Sequence, residues 1–315
     1  MLARSWLPLL FLAAIAVAVA AGCTDTGGLK LDLSDQLAQP GQTIDVQATI
    51  VRKGLSKFFP PASPPPLRVY SDNELLKTFQ PGGADWSFTT RVRLDTVGEH
   101  AVDAIYQRRR DTKPDQATCY AYCWDSSRVG IVVDLDRVVN QKTKLDILLG
   151  DRPLGDPIPD AADTLTSLAR RFYLCYVTAL PSDKKEAIRQ WMRANHIPAG
   201  PIFTWDRTTK YSVTSGNQAA LLDQLRQRVP TLLIAIGDGD DDLAAFSRNK
   251  MLPVMITLGG ALKSDLDVPQ FATWHDAYEL FLEPANQAIL ADPAHMLDLH
   301  LRGGHYIDTV KTPPK

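Results

Sequence analysis

Ile131-Val132-Val133-Asp134-Leu135-Asp136 is an apolar run that ends in two carboxylates. A short run with no internal polarity suits a parallel strand buried on both faces. Two more such runs follow. Phe172 to Val177 ends in Thr178, and Leu232 to Ile236 ends in Gly237-Asp238, with Asp242 on the next turn. Polar residues at the carboxyl ends of parallel strands collect in one crevice, where open α/β sheets bind ligands. Four carboxylates and a hydroxyl gathered there suit a divalent cation and a phosphate.

Outward from these runs, strands are expected near 130–136, 172–179, 201–206, 232–238 and 252–258. Helices are expected near 160–170, 183–196, 217–229 and 240–248, with another near 274–290. This alternation implies right-handed crossovers and a mostly parallel sheet. Beyond Asp292 the pattern loses regularity. Upstream, Ile44, Val46, Ala48 and Ile50 alternate with polar neighbours, as do Trp86, Phe88, Thr90, Val92 and Leu94. That is the period of a sheet with one buried face. Gly41, Gly82-Gly83 and Gly98 punctuate these runs as turns. The stretch Gly98 to Tyr106 resembles the late strand of an immunoglobulin-like sandwich. Pro60-Pro61 and Pro64-Pro65-Pro66 exclude a central strand and mark a long loop. It carries Phe58 and Phe59, which either pack on their own domain or face a membrane or the crevice. The expected organisation is a signal peptide at 1–22, an immunoglobulin-like β-sandwich at 29–128, an α/β domain at 129–290 and a C-terminal tail at 291–315.

The chain has 315 residues, 34 basic and 36 acidic, with a formal net charge of -2. Nothing in that balance calls for a polyelectrolyte partner. Arg108-Arg109-Arg110 with Lys113 is diluted by Asp103, Asp111 and Asp115, so the basic stripe of a nucleic-acid binder is missing. At the N-terminus Arg4 precedes an apolar stretch from Trp6 to Ala21, closed by Gly22-Cys23. Small residues before a cysteine resemble a bacterial lipoprotein signal, with Cys23 as the lipidated residue. Thr24 stands where aspartate would favour retention in the inner membrane, which points to the outer membrane. A cleaved secretory signal and a short uncleaved anchor also fit; all three export the rest of the chain to the cell envelope.

Export permits disulfides. Cys175 lies within an apolar run and reads as a buried small hydrophobe. Cys119 and Cys123 are close enough in sequence to close a small loop, and a disulfide is expected between them. Two cysteines without further ligands make a poor zinc site. His295, His300 and His305 recur every five residues and would diverge on a helix, so they make a poor metal site too.

Asp134-Leu135-Asp136-Arg137-Val138, then Thr178, then Gly237-Asp238 through Asp242 resemble, in order and spacing, the haloacid-dehalogenase superfamily. Tyr176-Val177-Thr178-Ala179, Ile188-Arg189-Gln190-Trp191-Met192 and His196-Ile197-Pro198-Ala199-Gly200-Pro201 resemble one branch of it. That branch contains the lipins, actin-patch phosphatidate phosphatases and the C-terminal domain of membrane-associated phosphatidylinositol-transfer proteins. The resemblance covers roughly half the chain and implies a Rossmann-like parallel sheet of haloacid-dehalogenase topology with a minimal cap. It implies Asp134 as nucleophile through an aspartyl-phosphate and Asp136 as general acid and then base. Thr178 would donate to a phosphoryl oxygen. Mg²⁺ would be held by Asp134, the backbone carbonyl of Asp136, Asp238 and Asp242. Asp240 and Asp241 suit a helix start and receive no catalytic role.

The chain departs from the family pattern at three places. Arg137 fills a slot where glycine is usual. Leu180 follows Ala179 where lipid-phosphatase relatives carry arginine nearby. The lysine expected at the start of the helix before the fourth strand is replaced by Gly216-Asn217-Gln218, leaving Lys210 upstream as the candidate for its role and Lys250 beyond the motif. The expected function is Mg²⁺-dependent hydrolysis of a phosphorylated small molecule or a phospholipid such as phosphatidic acid. The alternatives are a non-catalytic module that binds anionic phospholipid or metal, and an envelope interaction protein that works through its sandwich.

Overall fold

In a computed structural model, residues 29–52, 66–80, 87–106, 115–141, 154–180, 182–204, 215–258 and 268–302 are described. The expected signal peptide at 1–22, Cys23, Phe58, Phe59, Trp86, the Arg108 cluster, His305 and Lys210 lie outside them. The chain forms two compact units. One comprises Met1–Leu33, Asp45–Thr90 and Ala101–Cys119; the other comprises Ser34–Ile44, Arg91–His100 and Tyr120–Lys315.

The first eight strands are β1 (Leu29–Leu33), β2 (Gln36–Ala38), β3 (Gln42–Arg52), β4 (Leu67–Ser71), β5 (Glu74–Phe79), β6 (Ser87–Leu94), β7 (Gly98–Tyr106) and β8 (Asp115–Cys123). They make sandwich-like sheets in the orders β1-β3-β6 and β2-β8-β7-β4-β5. The expected alternation is met: β6 buries Phe88, Thr90, Val92 and Leu94 and exposes every residue between them. Ile44, Val46, Ala48 and Ile50 are buried on β3. Asp72 and Asn73 join β4 to β5 with φ of 46° and 70°. Asparagine and aspartate tolerate such angles, which fit the twist of a two-residue hairpin.

The expected Cys119–Cys123 disulfide is not formed, and neither cysteine is in a disulfide. Both lie on β8, so an extended backbone holds their Cα atoms roughly 13 Å apart at about 3.3 Å per residue. A disulfide spans about 7 Å at most. The chain continues as a strand where a small loop was expected.

In the second unit, β9 (Gly130–Asp134), β10 (Tyr173–Thr178), β11 (Ile202–Thr204), β12 (Leu232–Gly237), β13 (Leu252–Ile256) and β14 (Gln270–Phe271) form one sheet. Its order is β11-β10-β9-β12-β13-β14, and neighbouring strands are parallel. The helices are α1 (Ala161–Ala169), α2 (Lys185–Ala194), α3 (Ser215–Arg228), α4 (Asp240–Arg248), α5 (Trp274–Leu282), α6 (Pro284–Leu290) and α7 (Pro293–Leu301). β9, β12 and β13 are buried along their whole length, because side chains on both faces meet helices. Ile131, Val133, Ile234 and Ile236 join one core with Leu165 of α1, Ile188 of α2 and Trp274 of α5. Val132 and Ala235 join another with Leu222 of α3 and Phe246 of α4.

The helix expected at 274–290 is two. Pro284 opens α6, and the residue before a proline is steered away from helical geometry; Glu283 has ψ of 119°. The irregularity expected past Asp292 is also corrected. Asp292 accepts from the backbone N–H groups of Ala294 and His295 and Pro293 sits at the first helical position, a start signal that the sequence carried.

Within this second unit, Asp35 is almost fully buried. Its carboxylate accepts from the backbone N–H of Tyr120 at 3.0 Å and of Ile202 at 2.9 Å, and from the guanidinium of Arg189. That guanidinium lies 4.8 Å from the Tyr120 ring centroid. A short segment near the N-terminus is thereby joined to the β11 edge of the parallel sheet.

Candidate functional site

Strand order reverses between β9 and β12: from β9 the chain moves outward through β10 and β11, then returns to β12 on the other side. Such a switch point leaves a crevice beyond the carboxyl ends of the two central strands. Register decides what lines it. Val133 pairs with Ile236, so Asp134 and Asp238 leave neighbouring strands at nearly the same level. Val177 pairs with Asp134, which sets Thr178 one residue further along.

Asp242 arrives on the first turn of α4, brought close by Gly237. A Cβ at Gly237 would sit 2.8 Å from the Phe246 ring and 2.9 Å from the Asp242 Cβ, so only glycine allows the approach. Asp134, Asp238 and Asp242 are all buried, and one carboxylate oxygen from each lies within 4.8 Å of the other two. Oδ1 of Asp242 is buried and makes no hydrogen bond among the described residues. A buried carboxylate oxygen left so is costly, and hard oxygen donors in this number and spacing are what a divalent cation requires. The residues fit such an ion.

Asp136 is also buried, but its carboxylate faces β10. Oδ1 accepts from the Thr178 hydroxyl at 2.8 Å and Oδ2 from the Ala179 backbone N–H at 2.7 Å. The Thr178 hydroxyl in turn accepts from the Leu180 N–H at 3.1 Å. Oδ1 of Asp134 accepts from the Asp136 N–H at 2.8 Å. The two aspartates of the first motif therefore point apart, Asp134 into the carboxylate cluster and Asp136 toward Thr178. The Thr178 hydroxyl has a single proton, and here it is given to Asp136.

The loop after β9 is pinned at both ends. The Leu135 N–H bonds to the Val177 carbonyl at 2.9 Å, and Asn140 donates to the Leu135 carbonyl at 2.6 Å. Trp274 Nε1 donates to the Val138 carbonyl at 2.6 Å. Arg137 sits in this loop with φ of 64°, at a cost on the order of 1 kcal/mol for a non-glycine residue. Its Nε lies 3.1 Å from Oδ2 of Asp238. Sequence reasoning noted Arg137 only as a missing glycine; the ion pair, Asn140 and Trp274 were missed, and their partners are distant or local backbone groups that no spacing rule marks.

Other expectations resolve as follows. Asp240 and Asp241 are exposed at the start of α4. Lys250 is exposed. Gln218, on the first turns of α3, is fully buried, and neither polar atom of its amide makes a hydrogen bond among the described residues. Cys175 is buried on β10, and burial pushes its thiol pKa far up, as an inert core residue requires. His300 bonds to the Lys250 carbonyl and Arg226.

No family model and no curated protein matches the chain. Among solved structures, it is similar to the D,D-heptose 1.7-bisphosphate phosphatase of B. bronchiseptica complexed with magnesium and phosphate. Identity is 16% over 50% of this chain and 99% of that one, with a TM-score of 0.40. It is similar to fibronectin(III)-like modules of CbhA from Clostridium thermocellum at 12% identity, over 30% of this chain and 97% of the other, TM-score 0.22. The CARDB domain of the PF1109 protein from Pyrococcus furiosus gives 12% identity, 31% and 90% coverage and a TM-score of 0.24. Likenesses this loose assign no role to any residue here.

Proposed function

We propose that the protein is a divalent-metal-dependent phosphomonoesterase of haloacid-dehalogenase type. The observation that carries this reading is the buried Asp134, Asp238 and Asp242 cluster at the switch point, with Asp136 held beside it by Thr178. The sheet order, running outward from β9 on both sides, supports the same topology. A bound Mg²⁺ would neutralise the repulsion between a carboxylate and a phosphate dianion. Asp134 then serves as nucleophile and forms an aspartyl-phosphate, expelling the alcohol. Asp136 gives a proton to the leaving oxygen and afterwards takes one from the water that attacks phosphorus, which breaks the bond to Asp134 and releases phosphate. Its bonds to Thr178 and Ala179 fix the carboxyl group for both tasks. About forty residues separate Asp136 from Thr178, little room for a cap over the site, and this supports a bulky phosphomonoester such as a phosphatidate-like lipid as substrate. An N-terminal lipid on Cys23 would hold the chain at such a surface in the cell envelope.

A second reading is a binding module that holds an anionic phospholipid or metal without turnover. Gln218 favours it, because a buried neutral amide stands on the helix where the resemblance calls for a cation. Phosphate release from a small aromatic phosphomonoester and from phosphatidate vesicles, with and without Mg²⁺, separates the two. The phosphatase reading expects Mg²⁺-dependent release that Asp134→Asn lowers by about 10³-fold or more without loss of fold. Vesicle binding with no release from any substrate would establish the module instead, and undiminished turnover by Asp134→Asn would remove the nucleophile assignment.

A further inference from the structure

We propose that Arg137 is the anion-binding residue of this site, and that its ion pair with Asp238 is the resting state of a charge switch linking metal to phosphate. The inference rests on the metal-site reading above. Asp134, Asp136, Asp238 and Asp242 are all buried around one crevice, and a phosphomonoester brings roughly two further negative charges near pH 7. One divalent cation leaves that assembly strongly negative, so a second positive group is required where the phosphoryl oxygens would lie.

Arg137 meets that requirement by position. It directly follows Asp136, and its side chain is 46% exposed while contacting Asp238, which is 11% exposed. The guanidinium thus bridges solvent and the carboxylate cluster. Contact with Asp238 runs through Nε at 3.1 Å, one of five N–H donors on a planar fork that matches phosphate. The left-handed backbone at Arg137 would suit glycine without strain, so retaining an arginine there calls for a role of the side chain. A cation bound to Asp238 weakens that carboxylate's hold on Arg137 and frees the fork for an oxyanion. An oxyanion that draws Arg137 away exposes Asp238 to the cation. Metal and anion therefore bind with positive coupling, which is reciprocal by necessity.

Titration calorimetry on the full chain tests this, using Mg²⁺ alone, orthophosphate alone, and each in the presence of the other. Arg137→Gly keeps the turn and removes the guanidinium. It should bind Mg²⁺ alone about fivefold more tightly, the scale of one partly exposed ion pair. It should bind orthophosphate about tenfold more weakly, and the mutual tightening seen in the natural protein should vanish. Unchanged affinities in Arg137→Gly, in a protein whose natural form binds both ligands, would overturn the switch and leave the metal site standing. A natural form that binds neither Mg²⁺ nor orthophosphate overturns both readings.

Discussion

Asp242→Asn removes one of three negative charges whose oxygens lie within 4.8 Å of one another. At that separation and an effective dielectric of about 20, each pair repels by about 3.5 kcal/mol. Asp242 takes part in two pairs, but Arg137 already offsets the charge of Asp238, so the pair with Asp134 supplies most of the relief, about 3.5 kcal/mol. Two effects reduce the net gain. Any carboxylate can escape repulsion by binding a proton, which from an ordinary aspartate value costs about 4 kcal/mol at pH 7. An acidic residue on the first turn of α4 also gains about 0.3–1 kcal/mol from the helix N-terminus, and that is lost. The metal-free variant should therefore be more stable than the natural protein by about 2–4 kcal/mol, or roughly 4–16 °C in Tm for a unit of this size. Mg²⁺ should close most of that gap. At about a hundredfold its dissociation constant it stabilises the natural protein by about 2.7 kcal/mol, while the variant gains little. Thermal melts followed by near-ultraviolet circular dichroism, with EDTA and with Mg²⁺, read both effects. A metal-free variant that melts at or below the natural protein and still gains from Mg²⁺ would refute the electrostatic account of the cluster.

Two further perturbations probe the frame around the site. Asp35→Ala leaves the guanidinium of Arg189, with 11% of its side chain exposed, buried beside the freed N–H groups of Tyr120 and Ile202. Breaking a buried pair in this way costs about 3–5 kcal/mol, read as a lowered urea midpoint; a loss under about 1 kcal/mol would show the pair to be dispensable. His300 is held neutral by partial burial and then by Arg226, which lower its pKa from 6.5, and its Nδ1 lies 3.0 Å from the Lys250 carbonyl. Because the folded-state pKa lies below the unfolded one, the unfolded chain binds more protons, and stability falls as pH drops through 6.5 toward the folded value. His300→Gln should flatten stability against pH in that window, whereas parallel curves for the two proteins would count against it.

The parallel sheet was legible because β9, β10 and β12 are apolar on both faces, a pattern that few other environments permit. The three carboxylates of the cluster were legible for the same reason: strand ends mark where polar groups must emerge. Thr178 ends β10 beside the first motif, but its bond to Asp136 depends on side-chain direction, which spacing does not encode. Arg137 was visible only as an absent glycine, since its partner lies on another strand end. Asp35 carried no signal at all. It looks like a surface residue in a polar stretch, and its burial follows from Arg189 and Ile202, far along the chain. Asp292-Pro293 is a helix start carried entirely by local sequence. Cys119 and Cys123 are near in sequence but not in space, because one extended strand carries both.

The attachment of Asp35 to the Ile202 N–H spans 167 residues of chain, and this bears on how the protein can be built. At ribosomal rates of roughly 5–20 residues per second, on the order of ten seconds or more separates the emergence of the two partners. The strand at 36–38 can pair with β8 as soon as residues 121–123 are made, but until Arg189 and β11 follow, the Asp35 carboxylate has only the Tyr120 N–H of its three partners. Fragments that begin at residue 129 discard that acid and leave Arg189 only the more exposed Glu186, at 3.8 Å; dissection of the α/β portion should retain the 34–44 stretch, supplied in cis or as a peptide.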